Sequence, residues 1–353
     1  MRYRVMDPNV RLLSVATATP PHRLPQALAR DSARLIFADR VRDFDRLAPV
    51  FTNSGIDARY SSVPLDWYMT PKGWPERNAV YLTGALDVLE QAAGTALERA
   101  GLDVSAVDAL VVASSTGIAT PSLDALLMER MPFRRDTVRL PIFGLGCVGG
   151  VLGLARAAGL ARAMPGRTIL FLVVELCALQ FRHGDLSKSN IVATALFGDG
   201  GAAAVLRADG QAGPAIAATG EHTWPGTLDI MGWRVEPDGL GVVFAQSIPA
   251  LVRNELRPAA EAFLATQGME LVDLAGVICH PGGAKVISAL EEALSPCTQG
   301  FSDAWGVLRD YGNMSAATVL FVLERRLAAG AGGRHLMTAL GPGFTAGFAL
   351  IDL

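Results

Sequence analysis

The stretch FGLGCVGGVLGLARA, residues 143–157, places a cysteine between glycines at the start of an apolar segment with helical spacing. Glycines permit a tight turn and leave free space around Cys147. The N-terminus of a helix lowers the pKa of an adjacent thiol and favours the nucleophilic thiolate. The pattern therefore predicts a turn into a helix that presents Cys147 to a substrate. From these residues alone the alternative is a buried structural cysteine, the commonest setting of this residue.

The same stretch belongs to an internal repeat. Strand-like apolar runs alternate with Ala- and Leu-rich helical segments, which is typical of α/β proteins. Three segments of the first half have counterparts in the same order in the second half: DALVVASST (108–116) with LAGVICHPGG (274–283), 144–174 with 311–340, and FGDGGAAAVLRA (197–208) with GPGFTAGFALIDL (341–353). This shared order predicts a duplicated α/β unit.

The repeat aligns Cys147 with Asn313, and it aligns the strand end that carries His280 with the strand end near Ser114. Strand ends and helix starts of two related halves meet at their interface, where α/β proteins place their sites. An imidazole beside Cys147 activates the thiol. Alternatively, His280 caps a turn in CHPGG and Asn313 is a helix N-cap, for which asparagine is favoured.

Composition excludes several function classes. The chain has 353 residues, 50% of them hydrophobic and 18% charged, with a formal net charge of −3. This balance does not favour a nucleic-acid partner or a polybasic membrane surface. No apolar run is long enough to span a bilayer. The four cysteines show no metal-site or disulfide spacing, and MRYRVMDPNV lacks the apolar core of a signal peptide, so we expect a cytoplasmic protein.

The motifs GLGCVGG, ALFGDGGAAA, CHPGG, YGNMSAA and GPGFT, in this order, resemble those of the type III polyketide synthases, the chalcone-synthase-like branch of the thiolase superfamily. The resemblance covers essentially the whole chain. It implies a duplicated, five-layered αβαβα fold, with residues 1–220 carrying the cysteine and residues 221–353 the histidine and asparagine. It also implies a homodimer that uses acyl-coenzyme A and malonyl-coenzyme A.

The resemblance also implies catalytic roles. Cys147 is the acyl-accepting nucleophile, and His280 keeps it as a thiolate. His280 and Asn313 donate hydrogen bonds to the malonyl thioester oxygen and stabilise the enolate left by decarboxylation. Phe197 lies at the mouth of the acyl tunnel. Because decarboxylation drives the condensation, no metal, nicotinamide or flavin cofactor is expected.

Further positions of the resemblance concern specificity and coenzyme A. The substrate-binding set comprises Thr120, which borders the neighbouring subunit's cavity, together with Cys177, Gln180, Trp233, Val242 and Ser315. Val242 occupies a gate that a phenylalanine fills in the plant enzymes, which suggests room for a long aliphatic starter. The coenzyme A phosphates are assigned to Lys285, with Arg46 and Arg59 as weaker candidates.

Segments such as GWPERN and TGIATPSLDALLMERMPFR look most like the bacterial alkylresorcinol and alkylpyrone synthases, which extend fatty acyl-coenzyme A with malonyl units. A short or aromatic starter is one alternative. A second is an initiating ketoacyl-carrier-protein synthase, whose histidine motif reads HQAN instead of HPGG. A third is a non-catalytic thiolase-fold subunit, which usually lacks the cysteine.

Overall fold

The computed structural model describes residues 10–42 and 44–353. Its strands are β1 (Val10–Ala18), β2 (His22–Pro25), β3 (Ala58–Ser61), β4 (Ala109–Ala113), β5 (Val138–Ile142), β6 (Thr168–Leu176), β7 (Asp199–Arg207), β8 (Ala215–Thr223), β9 (Met231–Glu236), β10 (Gly239–Phe244), β11 (Gly276–Cys279), β12 (Arg334–Gly341) and β13 (Thr345–Asp352).

The α-helices are α1 (Gln26–Phe37), α2 (Phe44–Leu47), α3 (Pro49–Thr52), α4 (Trp74–Ala100), α5 (Leu123–Arg130), α6 (Gly149–Ala163), α7 (Lys188–Leu196), α8 (Ile248–Ala265), α9 (Ala284–Ala293), α10 (Phe301–Tyr311) and α11 (Thr318–Ala328). Short 3₁₀ turns at Gly146–Val148 and Ser315–Ala317 precede α6 and α11.

The sheet topology confirms the duplicated unit. Nine strands follow the order β11-β12-β13-β8-β1-β7-β6-β4-β5. Read outward from the centre, the first half runs β1-β7-β6-β4 and the second runs β8-β13-β12-β11. In both halves the first three strands pair antiparallel and the last two pair parallel. An antiparallel contact between β1 and β8 joins the halves.

The helices form three layers around the two half-sheets. Along β6, residues 169, 171 and 173 pack into the core that holds α6 and α11, whereas residues 170, 172 and 174 pack into the core that holds α4. Both faces of this strand are therefore buried, which explains its continuous apolar sequence. Since α6 and α11 lie between the halves and α8–α10 cover the second half, the fold is the expected five-layered α/β arrangement.

The middle layer requires a close backbone approach. A Cβ atom at Gly150, in the first turn of α6, would lie 2.2 Å from the carbonyl oxygen of Ala316. Glycine is therefore needed where α6 meets the 3₁₀ turn that precedes α11. This contact fixes the turn of Cys147 against the turn that follows Asn313.

A separate two-stranded hairpin, β9–β10, follows β8. The domain boundary expected at residue 220 falls inside β8, which pairs with β13 over its length. The boundary itself stays a prediction.

We expect Gly150→Ala to lower the free energy of unfolding by about 1–3 kcal/mol, because the added methyl group overpacks the seam between α6 and the Ala316 turn. The control is Gly159→Ala in the same helix, where no atom lies within 4 Å of the new Cβ. That change should be neutral or stabilise by up to about 1 kcal/mol. Chemical denaturation compares the two, and equal stabilities would contradict the close approach.

Candidate active site

Cys147 lies in the 3₁₀ turn that leads into α6. The preceding Gly146 has φ of 51°, and a Cβ atom there would lie 2.7 Å from Pro342. Gly146 thus meets both a conformational and a steric requirement for glycine. The backbone N–H groups of Gly144 and Gly146 donate to the Oγ of Ser115 at 3.2 and 3.3 Å, which holds this turn against the end of β4.

His280 follows directly after β11. Its backbone N–H donates to the carbonyl of Thr338 at 3.0 Å, and its carbonyl accepts from the N–H of Gly282 at 3.0 Å. The imidazole is 5% exposed, and neither ring nitrogen has a hydrogen-bond partner among the described residues. Buried polar groups are normally satisfied, so an orphaned imidazole in a cavity indicates a position for a ligand.

Two hydrogen bonds fix the side-chain amide of Asn313. Its Nδ2 donates to the carbonyl of Gly282 at 3.0 Å, and its Oδ1 accepts from the N–H of Ser315 at 2.8 Å. Ser315 has φ of 47°, a left-handed conformation that is uncommon for a residue with a side chain. A side-chain amide has two N–H donors, so one remains for another acceptor. Asn313 is therefore a positioned donor rather than a simple helix N-cap.

The structure brings these three residues together. Cys147, His280 and Asn313 line one cavity of about 330 Å³, which we call the outer cavity. Lys188 and Lys285 are exposed and line the same cavity. An open path therefore joins the thiol, the imidazole and the amide to the surface.

Cys147 also lines a second, smaller space of about 30 Å³, which we call the inner cavity. Four of the residues predicted to bind substrate line it: Phe197, Trp233, Val242 and Ser315. Trp233 and Val242 face each other across the β9–β10 hairpin. The ring of Phe197 contacts the ring of Trp233 edge to face, with centroids 6.0 Å apart.

Sequence reasoning missed the cross-strand pair Met231 and Phe244, which lines both the outer and the inner cavity. The Phe244 ring also contacts Phe197, with centroids 5.6 Å apart. Met231 and Phe244 each lie two residues from a predicted pocket residue on the same strand. The two-residue period of a β-strand is the signal that would have found them. The bulky ring of Phe244 therefore lies between the outer and inner cavities, in addition to the small Val242.

Behind Phe197 lies an apolar chamber of about 60 Å³. Cys177 and Phe197 line it together with residues of α1 and α7. Phe197 also lines the inner cavity, so its ring forms a shared wall between the two spaces. The predicted role of Cys177 in setting cavity size fits this position.

The remaining predicted residues lie elsewhere. Thr120 is exposed on the loop before α5, and Arg46 is exposed on α2. The side-chain Nε2 of Gln180 donates to the carbonyl of Thr116 at 2.7 Å. Arg59 is 4% exposed, and its Nη1 donates to the carbonyls of Thr194 and Phe197, both at 2.7 Å. This burial argues against the expected contact of Arg59 with a coenzyme A phosphate and indicates a structural role.

Burial controls the protonation of the site. It raises the pKa of the Cys147 thiol to about 11, and a hydrogen bond with the Ser315 side chain partly opposes this rise. Burial also lowers the pKa of His280 to about 4. At neutral pH the resting site therefore favours a neutral thiol and a neutral imidazole, which differs from the expected thiolate.

Glu175 is a third residue that sequence reasoning missed. It is fully buried at the end of β6, and both carboxylate oxygens accept from the N–H of Ser115, at 3.0 and 3.2 Å. Burial raises its pKa to about 8 despite these hydrogen bonds. Because the Oγ of Ser115 also accepts from the N–H groups of the Cys147 turn, Ser115 links Glu175 to the segment that carries the nucleophile. A glutamate inside the apolar strand TILFLVVEL was the available signal.

Family comparisons agree with this geometry. The sequence model for "Chalcone and stilbene synthases, N-terminal domain" matches residues 6–210, and the model for the C-terminal domain matches residues 216–351. The chain belongs to the chalcone and stilbene synthase family. These two ranges meet near the start of β8.

Individual members of this family match over nearly their full length. A 1,3,6,8-tetrahydroxynaphthalene synthase of Streptomyces peucetius subsp. caesius is 40% identical over 99% of this chain and 95% of that protein. A phloroglucinol synthase of Pseudomonas fluorescens is 30% identical over 94% and 95%.

Solved structures match equally well. The tetrahydroxynaphthalene synthase of Streptomyces coelicolor gives a TM-score of 0.90 at 29% identity, covering 97% of this chain and 98% of that one. Germicidin synthase of the same organism gives 0.90 at 26%, covering 98% and 100%. The chain is thus a type III polyketide synthase, a coenzyme A-dependent acyltransferase. Among the helices of the described residues, none combines the length and hydropathy needed to cross a bilayer.

The pKa of Cys147 predicts how this family member reacts with iodoacetamide. A thiolate is the reactive form, so alkylation should be slow at pH 7 and should accelerate about tenfold per pH unit toward pH 10. Peptide mass spectrometry after timed exposure measures the rate, and Cys147→Ala identifies any labelling of the other three cysteines. Fast, pH-independent labelling between pH 6 and 8 would show instead that His280 holds a thiolate.

Proposed function

We propose that this enzyme loads a long-chain fatty acyl group from coenzyme A onto Cys147, extends it with malonyl-coenzyme A and cyclises the product to an alkylpyrone or alkylresorcinol. The observation that supports the condensation is the joint lining of one cavity by Cys147, the unpartnered imidazole of His280 and the fixed amide of Asn313. We place the reaction in the cytoplasm.

The first step is acyl transfer. The neutral imidazole of His280 accepts the thiol proton as the Cys147 sulfur attacks the thioester carbonyl of the starter. The carbon–sulfur bond to coenzyme A breaks, and the departing thiolate takes the proton from His280. A base whose pKa lies well below 7 is unprotonated at neutral pH and is available for this transfer.

The second step is decarboxylative condensation. Malonyl-coenzyme A loses carbon dioxide, and the electron pair of the broken bond forms an enolate whose oxygen accepts hydrogen bonds from His280 and Asn313. Donors preorganised in a buried site contribute roughly 3–4 kcal/mol each to such stabilisation. The enolate carbon attacks the Cys147 thioester, and the sulfur leaves as a thiolate that takes up one proton from solvent. This sequence needs no metal or redox cofactor.

The apolar chamber supports an aliphatic starter. Its lining by Cys177, Phe181, Ile36 and other apolar residues gives an alkyl chain about 0.8 kcal/mol of burial free energy per methylene. The thioester lies at Cys147 in the inner cavity, and the chain would reach the chamber past the Phe197 ring. This arrangement favours a flexible chain over a rigid aromatic starter.

A second candidate is malonyl-primed synthesis of a hydroxylated naphthalene. The 40%-identical relative is named for tetrahydroxynaphthalene, whose ten carbons correspond to five two-carbon units and include no alkyl substituent. The small inner cavity, about 30 Å³, is the structural observation in its favour.

Product mass spectrometry separates these candidates. We expect the purified enzyme, given malonyl-coenzyme A and acyl-coenzyme A starters from C2 to C22, to turn over starters of C10 or longer most rapidly. A dominant product from malonyl-coenzyme A alone with the mass of tetrahydroxynaphthalene would establish the naphthalene route instead. Cys147→Ala should abolish product while retaining the wild-type circular dichroism spectrum, and product from that variant would exclude Cys147 as the nucleophile.

We further propose that the enzyme is a homodimer joined through the β5 edge. β5 pairs only with β4 among the described strands, and Val138, Leu140 and the following Phe143 are 45%, 38% and 62% exposed. An apolar edge strand that remains unpaired favours association with another strand. Thr120 is exposed close in sequence to Ile118, which is 51% exposed. A second copy of this chain covers such an edge symmetrically.

Leu140→Asp should convert the dimer to a monomer, because it places a charge at the apolar edge. Light scattering coupled to size-exclusion chromatography measures the mass. Leu228→Asp serves as the control, since Leu228 is 84% exposed in the turn before the β9–β10 hairpin. A dimeric Leu140→Asp variant, or a monomeric wild type, would contradict the β5 interface.

A further inference from the structure

Arg77 is a buried cation that the proposed reaction steps do not use. It lies near the start of α4, is 3% exposed, and lines neither the chamber nor the inner or outer cavity. Its Nη1 donates to the carbonyls of Leu179 and Phe181 at 3.2 and 2.9 Å. Its Nε and Nη2 have no partner among the described residues, and burying such a guanidinium costs free energy. The two hydrogen bonds to carbonyls are therefore the property that an apolar side chain could not replace.

The two carbonyls belong to a turn that forms one wall of the apolar chamber. This 3₁₀ turn, Cys177–Gln180, follows β6 and ends at Phe181, and we call it the wall turn. Cys177, Ala178 and Phe181 line the chamber. Arg77 thus holds the backbone of a wall that it does not itself line.

Two further side chains anchor the wall turn. The N–H of Ala178 donates to the Oδ1 of Asp199 at 2.7 Å, and the Nε2 of Gln180 donates to the carbonyl of Thr116 at 2.7 Å. Asp199 opens β7, and Thr116 follows β4. Of the three anchors, Arg77 alone binds backbone carbonyls of the turn and of the residue that ends it. The position of the turn therefore depends on side chains from three separate elements.

The same guanidinium lies against the β9–β10 hairpin. Gly239 opens β10 with φ of 142°, and a Cβ atom there would lie 2.6 Å from the Nη2 of Arg77. Glycine thus allows the hairpin to approach the guanidinium. The hairpin also carries Trp233 and Val242, which line the inner cavity. Arg77 therefore lies where the wall turn meets the element that bounds the inner cavity.

We propose that Arg77 is a positioning residue that determines which starter lengths the chamber accepts. By fixing the wall turn beside the hairpin, it keeps the width of the chamber constant, so an alkyl chain that fits gains burial free energy with each methylene. Without the two hydrogen bonds the wall turn moves away, and the chain loses dispersion contacts with it. The inference rests on the proposed aliphatic starter and deepens it by naming a residue outside the cavity that sets specificity.

Steady-state kinetics with C6 and C14 acyl-coenzyme A test this role. We expect Arg77→Met to lower the ratio of kcat/KM for C14 to kcat/KM for C6 about fivefold, mainly through a higher KM for C14. Release of carbon dioxide from malonyl-coenzyme A without a starter should stay within about twofold of the wild type, because the wall turn does not contribute to that step. A loss of stability alone would lower all of these rates together and leave the ratio unchanged.

Matched variants define what the side chain must supply. Arg77→Lys should keep most of the wild-type ratio, because both hydrogen bonds come from one nitrogen and an ammonium group has three donors. Arg99→Met, at the other end of α4, is the control and should keep the wild-type ratio. Circular dichroism verifies each fold. Where Arg77→Met is unfolded, Arg77→Gln takes its place and should lower the ratio about twofold.

A double variant tests whether Arg77 acts through the wall turn. Phe181→Ala removes a lining ring directly and should lower the same ratio. Combining Phe181→Ala with Arg77→Met should lower the ratio little more than the stronger single change, since both act on one wall. Fully multiplicative effects, or an unchanged ratio in Arg77→Met, would overturn the inference.

Amide hydrogen exchange separates this inference from the proposed reaction, because it needs no substrate. In Arg77→Met we expect peptides that cover residues 177–182 to exchange faster than in the wild type, while peptides of α6 keep the wild-type rate. If the wild type shows no preference for long starters but the wall turn loosens in Arg77→Met, the starter proposal fails and the hold of Arg77 on the wall stands. If C14 is preferred and neither the exchange nor the ratio changes, the role of Arg77 fails and the reaction stands.

Discussion

The site depends on the close backbone contact between the start of α6 and the Ser315–Ala317 turn. Gly150 meets the carbonyl of Ala316, and a Cβ atom at Gly149 would lie 3.2 Å from the Ala316 side chain. One half of the duplicated unit supplies the thiol, and the other half supplies the imidazole and the amide. A side chain at Gly150 would push the α6 turn away from the Ala316 turn, so the packing of the two halves positions the three side chains relative to one another.

Burial of the two side chains beside this contact favours their neutral forms at rest. Burial raises the pKa of Cys147 and lowers that of His280, since neither ion is solvated there. The imidazole remains without a protein partner, and the Asn313 amide is held with one donor to spare. In a low-dielectric site such donors interact more strongly with a developing oxyanion than they would in water. A thioester oxygen that binds here supplies the hydrogen-bond partner that the His280 imidazole and the spare Asn313 N–H group lack within the protein.

Sequence alone predicted the parts of the molecule that depend on local patterns and their order. The repeat, the glycine-flanked Cys147 and the strand-end His280 are of this kind. The burial of Arg59 is not visible in a motif, and its guanidinium donates to the backbone carbonyls of Thr194 and Phe197. Its contact with coenzyme A stays a prediction. Sequence analysis missed Met231 and Phe244 because it did not predict which residues of the β9–β10 hairpin face each other across the two strands.

Neighbouring cavities of the site share aromatic and apolar side chains as walls, and these walls determine which substrates can pass from one cavity to the next. Met231 and Phe244 stand between the outer and inner cavities, and Phe197 stands between the inner cavity and the apolar chamber. The Phe197 ring makes edge-to-face contacts with Trp233 and Phe244, each worth about 0.5–1.5 kcal/mol.

In the proposed reaction, an alkyl chain that passes from the inner cavity into the chamber displaces the Phe197 ring, which then loses those contacts. Each buried methylene contributes about 0.8 kcal/mol, so roughly one to four methylenes offset the loss of both contacts, which together amount to about 1–3 kcal/mol. In the proposed reaction, shorter starters would gain too little burial free energy to move the ring, whereas longer chains would gain enough. Under the proposed use of an aliphatic starter, the aromatic wall therefore selects for chain length by a threshold.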